Sequence, residues 1–206
     1  MPSAVVSHAC MNGNHLTTSV QGAFDPWPLL RKRGESGGAT ALRLVVHGRS
    51  AGLVPPCVQE ISVAVAESRA APVELEVLTA DVPTAAQCHS QWLVPLLLLP
   101  GSHARSDVPV IRDRLRSDGV VVKPLPFLGS WECWWVLMSR WIEVVVAQNP
   151  SLVLVHHPLR PGLSDRFLMS VQRRFGLPVV AFDVWDQFAN NHPNMVPLPL
   201  SLAPNR

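Results

Sequence analysis

The chain has 206 residues, of which 48% are hydrophobic, and a formal net charge of +2. This length and apolar content suffice for a substantial core in one or two small domains, and so small a charge excludes a strong electrostatic pull toward nucleic acid. No uncharged apolar run approaches the roughly 20 residues that cross a bilayer, so neither nucleic acid nor membrane is an expected partner.

The first 38 residues mix small and polar residues with Pro and Gly and show no export signal, which predicts a disordered N-terminal tail, 1–38, carrying His8, His15 and Cys10. The four cysteines, Cys10, Cys57, Cys88 and Cys133, have no CxxC pairing and read as plain thiols of a reducing cytoplasm.

From there β and α patterns alternate. "LRLVV" (42–46) is a buried parallel strand breaking into a loop at His47-Gly48. Pro55 and Pro56 open a helix to about residue 69, with Val58, Ile61 and Val65 on one face. "VELEVLTA" (73–80) alternates as a strand, and a connector (81–91) leads to the strand "WLVPLLLL" (92–99), where Pro95 predicts an edge position or a bulge. A second helix starts near Pro109, with Val110, Ile111 and Leu115 on one side, and "GVVVKPLPFLG" supplies a fourth strand. Trp131, Trp135, Met138, Ile142 and Val145 trace a helical stripe that Asn149-Pro150 ends; this spacing points to core or interface packing.

The pattern then restarts. "SLVLVHHPLRPG" (151–162) echoes "LRLVVHGRSAG" (42–52), and a helix bearing Phe167, Val171 and Phe175 and a strand at 177–183 follow. "MVPLPLSLAPNR" (195–206) echoes "WLVPLLLLPGSHAR" without its histidine. The expected fold is α/β, a parallel sheet flanked by helices in two similar halves with the second truncated: 39–148 as one unit and 151–206 as a partial repeat.

Four of the eight histidines, His47, His103, His156 and His157, follow apolar strands, and ligands of parallel sheets gather at strand carboxyl ends. If the strands carrying His47 and His103 are neighbours, both imidazoles enter one crevice, as an open two-ligand site for cobalt, iron, nickel or zinc.

"LRLVVHGRS" resembles the strand-HGS segment of the CbiX-type sirohydrochlorin chelatases, and "VPLLLLPGSHARSDVP" is similar to their second signature, an apolar strand followed by Gly-x-His and Asp-hydrophobic-Pro. The resemblance covers about residues 41–148 and implies the class II chelatase fold. It implies insertion of a divalent metal substrate, Co²⁺ or Fe²⁺, into sirohydrochlorin toward siroheme or cobalamin, with no organic cofactor, in the cytoplasm, by a monomer or homodimer. His47 and His103 would be the catalytic and metal-binding residues. Arg49, Ser50 and Arg105 would contact substrate carboxylates, and Asp107 would either orient His103 or cap the following helix. The family's HGSR order appears here as HGRS (47–50). Two further readings stay open: a reduced relative that binds metal or tetrapyrrole without inserting metal, and an unrelated flavodoxin-like domain with rim histidines.

Overall fold

The computed structural model describes residues 40–202; the expected tail and residues 203–206 lie outside it. Strand β1 (Ala41–Val46) is buried along its whole length, as a continuous apolar run in the middle of a parallel sheet should be. Helix α1 (Pro56–Arg69) starts at its proline and ends where Ala70 turns left-handed. Strands β2 (Val73–Val77) and β3 (Ser90–Pro95) follow, then helix α2 (Val108–Ser117) and strand β4 (Val121–Pro124). They form a sheet of order β2-β1-β3-β4 with every pairing parallel.

Helix α3 (Glu132–Gln148) leads to β5 (Leu152–His156), α4 (Leu163–Phe175), β6 (Val179–Ala181), α5 (Trp185–Asn191) and β7 (Val196–Pro199). The last three strands make a second parallel sheet, β6-β5-β7. The α/β architecture of parallel sheets flanked by helices is therefore the one expected. Both sheets place their first strand between their second and third. Val45 faces Pro95 and its carbonyl accepts from Leu96 N–H at 2.8 Å; Val155 faces Pro199 and its carbonyl accepts from Leu200 N–H, also at 2.8 Å. This matched register is consistent with two similar halves, and it aligns His157 with His47 and Val153 with Arg43.

The structure corrects several expectations. Pro95 lies in an interior strand, not at an edge. Pairing of β3 with β4 stops at Leu93↔Pro124, and on the β1 side the donor is Leu96, so the missing N–H of Pro95 breaks no ladder bond. The strand expected over 92–99 ends at Pro95, and Leu96–Leu99 runs out as a loop. It passes so close to Gly129 that a Cβ there would sit 1.8 Å from the Leu98 carbonyl oxygen. Helix α5 was not expected from the sequence.

The alternating β2 turns its charges inward. Glu74 and Glu76 are buried and face Arg43 on β1, whose guanidinium is fully enclosed. Its five N–H donors meet five acceptors: Glu74, Glu76, Gln91 Oε1 at 2.8 Å, and the carbonyls of Thr84 and Ala85 at 2.9 and 3.1 Å. Arg114 of α2 adds a bond to Glu76 at 2.8 Å, so the cluster is two cations against two anions. The β2–β3 crossover contains no helix and instead lends its carbonyls to this cluster.

The tryptophan stripe of α3 is core, as its spacing predicts. Trp131, Trp135 and Ile142 are buried, and Trp135 donates to the Gly129 carbonyl at 2.6 Å. Trp134 packs against the apolar clusters of both sheets rather than standing exposed. Among the described residues no helix is long and apolar enough to cross a membrane.

Candidate metal-binding site at the strand ends

His47 stands immediately after β1, and His103 opens a π-helical turn (His103–Asp107) that runs into α2. Because β1 and β3 are neighbours, both imidazoles rise from the carboxyl edge of one sheet, with ring centroids 4.8 Å apart and planes at 76°. Two imidazoles whose nitrogens lie about 2.1 Å from one ion, at coordination angles of about 90–109°, have centroids roughly 4.5–5.2 Å apart. The observed spacing falls inside that range.

The hydrogen bonds set the tautomers. Nδ1 of His47 lies 2.9 Å from the Gly48 carbonyl, which can only accept, so Nδ1 carries the proton. Nδ1 of His103 lies 2.6 Å from the Asp107 carboxylate and donates to it. With Nδ1 so engaged, the neutral form of either ring has its lone pair on Nε2, the form in which imidazole ligates a metal, and a carboxylate behind the ring is the usual support for such a ligand. Asp107 makes no capping hydrogen bond to α2. His103 and Asp107 are the first and last residues of the π turn, four positions apart.

The loop behind His47 is tightly held. Gly48 has φ +76°, and a Cβ there would lie 2.4 Å from Val77 Cγ1 and 2.6 Å from Thr79 Oγ1; Thr79 also donates to the Arg49 carbonyl at 2.6 Å. Gly48→Ala is expected to lower the urea-unfolding free energy by about 2–4 kcal/mol, from left-handed strain plus overpacking. An unchanged unfolding midpoint would mean that the loop gives way freely.

Arg49 and Ser50 are exposed on this loop, and Arg105 is exposed on the π turn. Glu132 pairs with Arg174 at 2.7 Å. His156 is buried with its Nδ1 2.7 Å from the His157 carbonyl, whereas His157 is exposed. Cys57, Cys88 and Cys133 form no disulfide among the described residues. Among the described residues no group of three or more His, Cys, Asp or Glu side chains surrounds a point that could hold a metal, so the candidate site is the histidine pair. Sequence reasoning missed the Arg43 cluster, since one arginine inside an apolar run gives no sign of its partners.

Parallel sheets flanked by helices in this order make a chelatase-like α/β fold. The sirohydrochlorin chelatase SirB from Bacillus subtilis subspecies spizizenii, solved in complex with cobalt, shares it: the match covers 81% of this chain and 76% of that one, with a TM-score of 0.53 and 18% sequence identity. At that identity the likeness is one of fold. No protein-family model matches the sequence, and no curated protein matches it either.

Proposed function

We propose that the chain is a metal chelatase that inserts a divalent ion, Co²⁺ or Fe²⁺, into sirohydrochlorin, on the route to cobalamin or siroheme in the cytoplasm. The observation that carries this reading is the His47–His103 pair, 4.8 Å apart with both Nδ1 atoms engaged by oxygen acceptors. Residues 39–148 form the catalytic unit in this reading, and 151–206 a partial second unit.

Metal insertion replaces two pyrrole N–H protons with one ion. The imidazoles hold the incoming metal through Nε2 at the sheet edge, leaving its other positions open to exchange water for pyrrole nitrogens. As each bond to Nε2 breaks, that nitrogen is freed to accept one departing pyrrole proton, so two histidines match the two protons released. Asp107 holds the His103 ring through this exchange, and no covalent intermediate is needed. Arg49, Ser50 and Arg105 lie on the loops that bear the two histidines and suit the carboxylate rim of the substrate.

The test is the rate of sirohydrochlorin metallation by Co²⁺ or Fe²⁺, followed by absorbance against the spontaneous rate. An excess rate is expected, and none would reject the reading. A two-ligand site also fits a reduced relative that only binds, which would take up Co²⁺ without accelerating metallation.

Asp107→Asn is expected to weaken Co²⁺ binding about 10–100-fold. An amide can offer its NH₂ to Nδ1, which drives the proton to Nε2 and blocks the ligand position. Calorimetric titration with Co²⁺ checks this; unaltered affinity would remove Asp107 from the site.

A further inference from the structure

Helix α3 buries one face and leaves another uncovered. Trp135 and Ile142 enter the core with Leu152 and Leu154 of β5, whereas Leu137, Trp141 and Val144 are 61%, 50% and 58% exposed. Steps of four and then three residues set these three side chains on one side of the helix, so they make a single apolar seam. An indole and two aliphatic side chains grouped in water mark a protein contact.

The charges beside the seam say what covers it. Arg140 and Glu143 are exposed on the same flank, three residues apart, and neither forms an ion pair among the described residues. A second α3 laid antiparallel on the seam, with its centre at Trp141, brings Arg140 of each copy to Glu143 of the other. A parallel pairing puts the two charged flanks on opposite sides and leaves the charges unmatched. The seam is thus self-complementary about a two-fold axis, as an isologous contact requires. The open edge of β7 offers no rival contact. The N–H groups of Val196 and, just after the strand, Leu200 turn to β5, and alternation leaves Pro197 and Pro199, which have no N–H, on the outer side.

We propose that two copies of this chain pair through α3, antiparallel, with Trp141 at the centre of the seam and two Arg140–Glu143 ion pairs beside it. The pairing does not depend on the chelatase reading. Three apolar side chains per copy cover less than the roughly 800 Å² per partner of a tight interface, so the dimer is expected to dissociate with a constant on the order of 10 μM. Sedimentation velocity of the full chain between about 1 and 200 μM is expected to show the mass rise from one copy to two. Trp141→Ala and Arg140→Glu are each expected to raise the dissociation constant at least about tenfold, the second by setting carboxylate against carboxylate. Arg140→Glu combined with Glu143→Arg is expected to restore it to within about threefold, because the exchange remakes both ion pairs. All three positions are exposed, so no variant opens a core. A native chain that stays monomeric to about 200 μM, as it would if a different protein covered the seam, overturns the proposal. Self-association that Trp141→Ala or the single charge reversal leaves unchanged overturns it as well.

Discussion

Arg43→Leu is expected to destabilise the fold by about 3–5 kcal/mol in urea unfolding, a large share of the roughly 5–15 kcal/mol typical of a domain. Leucine fills much of the same space, so the loss is electrostatic. Glu74 and Glu76 are 7% and 4% exposed and would face each other with only Arg114 left as a cation. The crossover carbonyls of Thr84 and Ala85 would lose their donor as well. Replacing the three most buried members, as Arg43→Leu with Glu74→Leu and Glu76→Leu, is expected to recover most of the stability, because apolar packing can substitute for a buried ion cluster but not for half of one, and Arg114 reaches solvent. A single variant within about 1 kcal/mol of the native chain would show that water reaches the cluster.

His47→Ala and His103→Ala are each expected to lower Co²⁺ affinity by more than the roughly 10–100-fold typical of losing an outer hydrogen-bond partner, and to return metallation to the spontaneous rate. The double variant carries the sharper expectation. Two ligands of one ion act as a unit, so removing both should cost little more than removing either. Losses that multiply would mean that the histidines act at separate places and would reject the shared site. Thermal unfolding of all three variants should match the native chain, since His47 is exposed and the His103 side chain is 41% exposed.

Together these substitutions separate what supports the sheet from what works at its edge. Arg43 and His47 share β1 and its end, yet one faces an ionic cluster under the β2–β3 crossover and the other stands above the ladder. A chain that loses stability at Arg43 and metal binding at His47 would therefore divide structure from chemistry along a single strand.

The alternation of strands and helices, the parallel pairing that such alternation requires, the helical tryptophan stripe and the histidines at strand ends are all legible in the amino-acid order. Each is written in spacings of a few residues, which periodicity detects because a strand or helix repeats its faces locally. That β1 and β3 are neighbours emerges only in the folded chain. That adjacency brings His47 to His103, encloses Arg43 between Glu74 and Gln91, and makes Pro95 an interior residue. The physical reason is the same each time: hydrophobic spacing says which face of an element is buried but not which element covers it, and strand order is set by how all the faces pack at once.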